Sequence, residues 1–410
     1  MAVGRLSCSS SPVACGRGDY LRPWGAARCA TGRAEKSNSE YLNTLLPLPL
    51  HELHLQLGAR FGELRGSETV ASYGDPMAEY QALKQSAVVL DFSFRGRGCL
   101  TGADRVRLLH GQVSNDVQKL RPGEGCYAAL VTAKGRMQAD LNIHVLENEL
   151  LLDFEPGLTS TLRERFEHYI VAEDVQFIDV APFYGIVSIQ GPLAAAVMRR
   201  VMPDLMIPKT GLSVSHRTDP SLGDLYLVNH PRAGGSGFDF YVPTEATAMV
   251  FDKLVAAVQA EGGRPAGFEA FEWARIEAGI PRFGIDMDES NLPPETGIET
   301  RAISYNKGCY IGQEVIARIR TYGQVARALR GLRLDPQLST LPVRGDKLFL
   351  GEREVGNITS AIHSPELGLP IALGYVRREA NTPGTMLRLR TLTGEFSAEV
   401  AALPFELPKK

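Results

Sequence analysis

The sequence predicts an α+β body followed by a small antiparallel β-barrel. Its 410 residues are enough for about two to four domains. Up to about residue 325, helical patterns alternate with short apolar runs that are typical of buried strands. From about Arg327 onward, apolar residues recur at every second position in short segments separated by Gly and Pro, which is the pattern of a small barrel. We therefore expect the body over residues 41–325 and the barrel over residues 326–410.

The composition excludes several classes of protein. Apolar residues make up 44% of the chain and charged residues 22%, which excludes a disordered chain, a collagen and a coiled coil. No stretch reaches the roughly 18–20 consecutive apolar residues of a membrane-spanning helix. The formal charge of −3 gives no global electrostatic reason to expect nucleic acid as a partner. Six cysteines are too few for a disulfide scaffold.

The first 40 residues differ in composition from the rest. They contain six basic residues against three acidic ones, are rich in serine, alanine and glycine, and have no acidic residue before Asp19. A secretory signal would need an unbroken apolar stretch of about 7–15 residues, which this segment lacks. An Arg- and Ser-rich, acid-poor start is typical of an organelle transit peptide. We expect a disordered transit peptide over residues 1–40 and a chloroplast location; a mitochondrial location and an untargeted tail are the alternatives.

Helices and strands follow one another along the body. A helical pattern begins at Ala78 and leads into an apolar run that predicts a buried strand at 87–92. Further helices are predicted at 104–111, 158–169, 192–201, 244–260 and 268–279, and further strands at 126–131, 142–145, 150–154 and 185–189. Pro192 suits the first position of its helix, and Thr244 suits the cap of the next one. The barrel strands are predicted at 328–334, 347–350, 354–361, 372–376, 386–390 and 396–401.

No common motif identifies the chemistry. The chain lacks a P-loop, a dinucleotide-binding GxGxxG helix start, an HExxH zinc motif, a GxSxG elbow and a CxxC pair. The pattern places His51 and His54 on a surface turn and residues 95–98 (Arg-Gly-Arg-Gly) in a loop. Beyond residue 40 there are three cysteines, too few for a four-thiolate iron–sulfur cluster in one chain: Cys99, Cys126 and Cys309. We expect no permanently bound metal.

The first candidate site is a cysteine-containing loop, Lys307-Gly308-Cys309-Tyr310-Ile311-Gly312-Gln313-Glu314. Gly308 and Gly312 allow a tight backbone around Cys309. The apolar spacing that follows predicts a helix directly after the loop. A helix N-terminus and the nearby Lys307 would both favour the thiolate and raise the reactivity of the thiol. The alternative is a buried cysteine that only fills space.

Two further candidates lie in the body. Asp140 is predicted to enter a strand among apolar neighbours, where a carboxylate would suit a basic nitrogen of a ligand; a turn-capping role is the equal alternative. Arg275 and Glu277 share a predicted helix. Because they are two residues apart, they point to different faces of that helix. A solvated ion-pair helix is the simpler interpretation of this second pair.

Three short segments and the cysteine loop resemble a known family. Residues 89–93 (Val-Leu-Asp-Phe-Ser), 100–105 (Leu-Thr-Gly-Ala-Asp-Arg) and 115–117 (Asn-Asp-Val) resemble the opening of the aminomethyltransferase (glycine-cleavage T-protein) superfamily. The cysteine loop is similar to the KGCYxGQE signature of one branch, the folate-binding T-protein-like proteins that assist iron–sulfur cluster assembly or repair. The resemblance covers about residues 80–404. It implies a ring of three subdomains, the last of them the barrel, with tetrahydrofolate or a derivative in a central channel.

The resemblance also implies roles for single residues. Asp140 matches by position the aspartate at the reactive end of the folate. Arg275 matches the arginine of a folate-lining helix, which also carries Glu277, and Asp239 falls where the family has a glutamate. These four residues are therefore expected to contact folate.

Two positions depart from the family pattern. Gly235 stands where the T-protein has an acidic residue, and Phe283 where it has a tyrosine. Loss of the acid at position 235 removes an expected partner of the pterin ring. The retained Asp140 keeps one-carbon chemistry open.

The resemblance implies a folate-binding protein that supports maturation or repair of iron–sulfur proteins. Its expected partners are a small folate molecule and iron–sulfur client or assembly proteins. Cys309 is the expected reactive group, as a nucleophile, a redox partner or a transient iron ligand, with Lys307 tuning it. The loop would be shaped and fixed by its remaining motif residues, Gly308, Tyr310, Gly312, Gln313 and Glu314. The alternatives are a tetrahydrofolate-dependent aminomethyltransferase or demethylase, which would be an enzyme, and a binding module with structural folate and an inert Cys309.

Overall fold

The computed structural model describes residues 45–323 and 325–406; the expected transit peptide over residues 1–40 lies outside them. The described chain begins with helix α1 (His51–Gln56), followed by an antiparallel hairpin of β1 (Arg60–Leu64) and β2 (Ser67–Ser72). The two connecting residues, Arg65 and Gly66, both have positive φ. This is the two-residue turn whose twist matches that of the strands it connects.

The first half of the body is built on a five-stranded antiparallel sheet. Its strands are β4 (Gly96–Thr101), β5 (Gly125–Val131), β6 (Met137–Val145), β7 (Leu150–Phe154) and β8 (Gln176–Asp179). They lie side by side in the order β5-β6-β7-β4-β8. Helices α3 (Arg105–Gln112) and α4 (Thr159–Tyr169) belong to this half. Leu109 of α3 and Phe166 of α4 are fully buried in the apolar cluster that joins the helices to the sheet.

Strand β4 corrects the prediction that residues 95–98 form a loop. Gly96 and Gly98 carry no side chain, so the segment shows no apolar alternation. Aromatic rings occupy the space that side chains would need: a Cβ atom on Gly96 would lie 2.1 Å from Phe154, and one on Gly98 would lie 2.3 Å from Phe177. Packing therefore requires glycine at these two positions of the sheet.

The second half of the body is built on a six-stranded sheet. Its strands are β3 (Val88–Asp91), β9 (Tyr184–Gln190), β10 (Val214–Asp219), β11 (Gly223–Asn229), β12 (Gly237–Pro243) and β13 (Arg264–Pro265), in the spatial order β10-β11-β12-β9-β3-β13. Strands β3 and β13 pair in parallel, and the other pairs are antiparallel. Helices α5 (Ala194–Val201) and α6 (Thr244–Ala260) pack on this sheet through a second apolar cluster. Helices α2 (Pro76–Gln85) and α7 (Phe268–Glu277) contact each other.

The C-terminal domain is a closed antiparallel barrel, as predicted. Its strands are β14 (Arg327–Leu334), β15 (Lys347–Leu350), β16 (Arg353–Ser364), β17 (Leu369–Arg377), β18 (Met386–Thr391) and β19 (Gly394–Ala401). Their order is β14-β17-β16-β15-β18-β19, and β19 pairs with β14 to close the barrel. Alternate residues such as Leu332, Leu348 and Leu389 are fully buried in the barrel core. Two short helices, α8 (Glu299–Ala302) and α9 (Gln313–Tyr322), precede it.

Two local predictions are wrong for tertiary reasons. His51 and His54 lie on helix α1 rather than on a surface turn, and His54 is fully buried. Its ring turns inward because His54 Nε2 lies 2.9 Å from the buried carboxylate of Asp91, which needs a partner. Asp140 lies in the middle of β6 rather than at a strand start, because its backbone pairs with Ala129 of β5.

Candidate functional site

A pocket of about 470 Å³ opens beside strands β5 and β6. Its wall combines aromatic side chains, such as Phe92 and Phe271, with charged side chains from strand β6, from segments that flank other strands, from the loop after α7 and from helix α8. The charged side chains are Arg95, Asp140, Glu155, Arg232, Arg282 and Arg301. A pocket of this volume and mixed character is typical of small-molecule sites. It is therefore the candidate functional site.

Asp140 is the titrating group of this pocket. The hydroxyl of Tyr127, on the neighbouring strand β5, donates a 2.9 Å hydrogen bond to Asp140 Oδ2. Asp140 Oδ1 is itself buried and has no hydrogen-bond partner among the described residues. Burial, reinforced by the charge of Glu155, raises the pKa of Asp140 to about 6, although the Tyr127 hydrogen bond opposes this. A carboxyl group with such a pKa can accept and donate a proton near neutral pH.

Arginines and carboxylates alternate behind the pocket wall in one continuous chain of ion pairs. In order of contact, its members are Asp239, Arg232, Asp153, Arg95, Glu155, Arg282, Glu272, Arg275 and Asp286. Asp153 accepts hydrogen bonds from Arg95 at 2.6 Å and from Arg232 at 2.7 Å. Burial opposes its ionisation, but these two arginines hold the pKa of Asp153 well below its usual range. The network compensates the buried charges and fixes the side chains that face the pocket.

Asp239 lies behind the wall of the Asp140 pocket, and its expected contact with folate stays a prediction. Its carboxylate is fully buried on β12 and accepts hydrogen bonds from Ser188 at 2.8 Å, His230 at 2.9 Å and Arg232 at 2.8 Å. Burial opposes its ionisation, but Arg232 and His230 lower the pKa of Asp239 to about 2. Because His230 and Arg232 themselves line the pocket, Asp239 acts on the site by orienting these two side chains.

Arg275 and Glu277 also lie outside the Asp140 pocket, against expectation. Arg275 is fully buried, pairs with two carboxylates of the network at 2.5 Å, and reaches Ser360 of barrel strand β16 at 3.3 Å. Its role is to connect the body to the barrel. Glu277 lines a separate cavity of about 660 Å³. The two side chains do point to different sides of α7, as their spacing predicts.

The two departures from the family pattern do not affect the Asp140 pocket. Gly235 lines the separate cavity that Glu277 also faces. Phe283 is fully buried in the apolar cluster of the first sheet. Position 235 therefore lies outside the Asp140 pocket, and the expected loss of a pterin contact stays a prediction.

Lys307 binds the end of helix α3. Its ammonium donates to the backbone carbonyls of His110 at 2.6 Å, Val113 at 2.6 Å and Asn115 at 2.9 Å. These bonds use all three N–H groups of the ammonium and satisfy carbonyls that the helix end leaves unpaired. Burial lowers the pKa of Lys307 to about 8. This lysine clamps the backbone, and its expected tuning of Cys309 stays a prediction.

Cys309 is exposed and does not belong to the lining of the Asp140 pocket. The loop that carries it is held close to the turn after β5 by Gly312, which has a left-handed φ of +84°. A Cβ atom on Gly312 would lie 2.4 Å from the carbonyl oxygen of Thr132, so glycine is required by conformation and by space. Helix α9 begins at the next residue, Gln313. The thiol therefore projects from a fixed loop at a helix start.

The remaining motif residues differ in what they contribute. Gln313 accepts a hydrogen bond from the backbone N–H of Tyr310 at 3.3 Å, which ties the loop to the helix start. Glu314 instead points into solvent and pairs with Arg318 at 3.0 Å, so it does not fix the loop as expected. A Cβ atom on Gly308 would have no neighbour closer than 3.6 Å. Space does not require glycine there.

Asn115 connects the cysteine loop with the pocket. Its backbone carbonyl accepts the bond from Lys307, and its side-chain amide donates to the carbonyls of Tyr127 at 2.8 Å and Arg301 at 2.9 Å. The Arg301 guanidinium lies over the Tyr127 ring, 5.0 Å from its centroid. The backbone that Lys307 clamps is therefore bonded to the two residues that flank Asp140 and the pocket.

Sequence reasoning missed several residues of the site. Asp153 and Glu155 have a usable signal, because charges within or beside an apolar strand run indicate buried ion pairs. Tyr127 lies diagonally opposite Asp140 on the paired strands, where long side chains contact each other. That relation emerges only once the register of β5 and β6 is known. Arg232 lies in an irregular loop and has no comparable signal.

Within residues 45–323 and 325–406, no group of three or more His, Cys, Asp or Glu side chains is arranged to hold a metal ion. The same part of the chain contains no helix that is long and apolar enough to cross a membrane.

Comparison with known proteins identifies the family. Residues 50–307 match the GCVT N-terminal domain, and residues 327–405 match the glycine cleavage T-protein C-terminal barrel domain. An aminomethyltransferase of Ralstonia pickettii is 29% identical over 88% of this chain and 97% of that protein. One of Nostoc sp. is 26% identical over 88% of this chain and 96% of that protein. The crystal structure of the glycine cleavage system aminomethyltransferase T from Bartonella henselae has a TM-score of 0.79 at 23% identity, covering 88% of this chain and 98% of that one.

The chain therefore belongs to the glycine cleavage T-protein family, a family of folate-binding proteins. The predicted fold, an α+β body in the T-protein arrangement with a C-terminal barrel, is confirmed. Asp140 and the pocket lie within the first matched segment. Cys309 lies in residues 308–326, between the two matched segments.

Proposed function

We propose that the protein binds a reduced folate in the Asp140 pocket and carries out tetrahydrofolate-dependent one-carbon transfer, as an aminomethyltransferase or demethylase. The observation that carries this proposal is the buried Oδ1 atom of Asp140, which has no partner among the described residues and lies in a pocket of small-molecule size. A buried polar atom is destabilising unless something satisfies it. The relatives named above as aminomethyltransferases support the same class of reaction.

The pocket residues suit the parts of a folate. A reduced pterin has N–H groups at its edge. These groups can donate hydrogen bonds to the Asp140 carboxylate. Phe92 and Phe271 offer aromatic surface to the ring system. Arg301 is exposed at the pocket and makes no ion pair with any residue that the structure describes. Its guanidinium is therefore available to the anionic glutamate tail.

Asp140 is placed to hold or release a proton at its free oxygen. A bound folate supplies the nitrogen atoms that carry the one-carbon unit. Tyr127 orients the carboxyl group through Oδ2 and leaves Oδ1 without a partner among the described residues. With a pKa of about 6, about one Asp140 side chain in ten is protonated at pH 7. Glu155 cannot share this role, because Arg95 and Arg282 both bind its carboxylate.

The test compares wild type with Asp140→Asn, which keeps the size of the side chain and an acceptor for Tyr127 but cannot take up the proton. We expect 5-formyltetrahydrofolate to bind the variant more weakly than wild type, because the amide nitrogen that replaces Oδ1 cannot accept a hydrogen bond; rates are therefore compared at saturating folate. Formation of methylenetetrahydrofolate from an aminomethylated carrier protein should fall about 10²–10⁴-fold in the variant. Cys309→Ala is the matched control and should keep the wild-type rate. Equal rates for Asp140→Asn and wild type would refute the role of Asp140, and a wild type that binds no folate would refute the pocket assignment.

A second candidate function, support for the maturation or repair of iron–sulfur proteins, is favoured by Cys309. The thiol is exposed on a loop that Gly312 and Lys307 hold in place. An exposed thiol contributes nothing to core packing, so a space-filling role does not account for it. Reactive cysteines, in contrast, need access to solvent. The partners in this function are iron–sulfur client or assembly proteins.

The test of this second function uses cells that lack their own copy of the protein, with the activity of a 4Fe–4S enzyme as the readout. The chain without its first 40 residues is expressed as wild type, Cys309→Ala and Asp140→Asn. We expect wild type to restore the enzyme and Cys309→Ala to fail at equal soluble expression. Restoration by Cys309→Ala would exclude the thiol. The result for Asp140→Asn shows whether proton transfer in the folate pocket is needed as well.

We also propose a chloroplast location, based on the basic, Ser-rich and acid-poor composition of the first 40 residues. A fusion of residues 1–60 to a fluorescent protein should coincide with chlorophyll fluorescence in plant cells. Overlap with a mitochondrial dye would support the mitochondrial alternative. Diffuse fluorescence would contradict both locations.

A further inference from the structure

His110 lies directly beside the cysteine loop. The backbone N–H of Ile311 donates to the carbonyl of Gly111 at 3.1 Å, which fixes the loop on the last turn of α3. In this arrangement, His110 Nε2 is the nearest atom to a Cβ built on Gly308, at 3.6 Å. The Nε2 edge of the imidazole therefore faces the backbone that leads into Cys309.

The His110 ring is buried but not fully satisfied. The residue is 8% exposed, and its Nδ1 has no hydrogen-bond partner in the ranges 45–323 and 325–406. His110 Nδ1 lies 3.5 Å from Asp116 Oδ1, which is an ion-pair distance. The other carboxylate oxygen of Asp116 lies 2.8 Å from Lys119 Nζ. An imidazole with one nitrogen towards a carboxylate and the other towards a thiol-bearing loop has the arrangement of an oriented base.

We propose that His110 accepts the proton of the Cys309 thiol and that Asp116 orients the His110 ring. The transfer requires the exposed Cys309 thiol to turn towards Nε2 by rotation about its χ1 angle. The proton moves from sulfur to Nε2, and the electron pair of the S–H bond stays on sulfur as the thiolate. The Nδ1–H of the resulting imidazolium faces Asp116. Lys307 cannot accept the thiol proton in place of His110, because its ammonium is already bound to three carbonyls.

The surrounding charges keep the imidazole in the form that accepts a proton. Burial and then the positive charge of Lys307 lower the pKa of His110; Asp116 opposes them and Lys119 adds to them. His110 is therefore neutral at pH 7. Burial opposes the ionisation of Asp116, but Lys119, His110 and Lys307 together lower the pKa of this carboxyl. Asp116 is therefore charged at the same pH and favours the tautomer with its proton on Nδ1.

The test measures alkylation of Cys309 by iodoacetamide against pH in the full chain, by mass spectrometry of the peptide that contains it. The thiolate sulfur forms the new S–C bond and iodide leaves, so the rate reports thiolate formation. We expect His110→Gln to slow the reaction about tenfold at pH 7 and Asp116→Asn about threefold, with both approaching wild type above about pH 9.5, where thiols ionise unassisted. His216→Gln is the matched control and should leave the rate unchanged. His216 also faces an aspartate, at 3.0 Å, but lies on β10.

Two outcomes would overturn the proposal. The first is a His110→Gln profile that coincides with wild type from pH 6 to 9.5. The second is a rate difference that persists unchanged at pH 9.5, because it would reflect access to the thiol rather than proton transfer. If circular dichroism shows that His110→Gln does not fold, the NMR titration of His110 is compared between wild type and Cys309→Ser: a shifted midpoint supports a shared proton, and an identical midpoint contradicts it. These measurements need neither folate nor a client protein, so their failure is distinguishable from failure of either proposed function.

Discussion

Replacing Asp140 by Asn should make the protein less sensitive to rising pH, although it removes the proton-transfer group. The pKa of Asp140 is raised by burial from 3.8 to about 6 in the folded protein. Between these values the folded protein binds more protons at Asp140 than the unfolded chain does, so the contribution of Asp140 to stability is greatest below pH 3.8 and is lost as the pH rises through 6. A shift of this size corresponds to about 3 kcal/mol at pH 7.5. This is an upper value, since the pocket admits solvent.

The assay is urea unfolding of wild type and Asp140→Asn at pH 4.5 and pH 7.5. About 2 kcal/mol of the effect falls within this interval, so wild type should lose about 2 kcal/mol more than the variant across it. All other titrating groups are common to the two proteins and cancel in the comparison. Tyr127→Phe is the control, because removing the donor to Asp140 Oδ2 should raise the pKa further and enlarge the loss. Parallel pH dependences of wild type and Asp140→Asn would show that the carboxyl ionises as freely as in water and would refute the reasoning.

Three other predictions test the cysteine loop. Lys307→Met leaves the carbonyls at the end of α3 without their donor, so the free energy of unfolding in urea should fall by about 2–4 kcal/mol; a much smaller loss would contradict the clamp. Gly312→Ala should lower the free energy of unfolding by about 2 kcal/mol or more, whereas Gly297→Ala should lower it by about 1 kcal/mol. Both glycines have positive φ, but of these two only Gly312 would place a Cβ atom against a backbone oxygen, at 2.4 Å. Equal losses of stability in the two variants would exclude the clash. Saturating 5-formyltetrahydrofolate should slow alkylation of Cys309, and Asn115→Ala should abolish that effect, because Asn115 bonds the clamped backbone to the pocket.

The barrel was predictable from the sequence, and much of the second sheet was not. Barrel strands such as β14 have one face in the core and one in solvent, so their apolar residues alternate. Strand β12 is buried along almost its whole length, which removes the alternation that identifies a strand. Strand β10 consists mainly of polar residues with intermediate or full exposure, so it lacks an apolar signal altogether. A strand is therefore difficult to predict from the sequence both when its two faces are buried and when neither face is buried.

Of the candidate site, only the part that depends on a single residue, Asp140, could be predicted from the sequence. Asp140 was found because a carboxylate among apolar residues is conspicuous. The ion-pair network was not, because its contacts join residues far apart in sequence: Arg95 and Arg232 meet Asp153 across 58 and 79 residues. Lys307 has contacts that the sequence did not predict. Its nearness to Cys309 in sequence suggested a partnership, but carbonyls more than 190 residues away take its ammonium.

The pocket and the cysteine loop share one backbone segment, and this bears on how the two proposed functions relate. Asn115 receives the Lys307 clamp through its carbonyl and binds Tyr127 and Arg301 through its amide, so a ligand that engages the pocket acts on the segment that supports the loop. Coupling free energies are reciprocal: if bound folate changes the free energy of a reversible modification of Cys309, that modification must change the folate affinity by the same factor. The family domains account for the pocket, while the thiol lies between them. If both proposed functions hold, folate occupancy of the pocket and the state of the thiol should influence each other through the Asn115 segment.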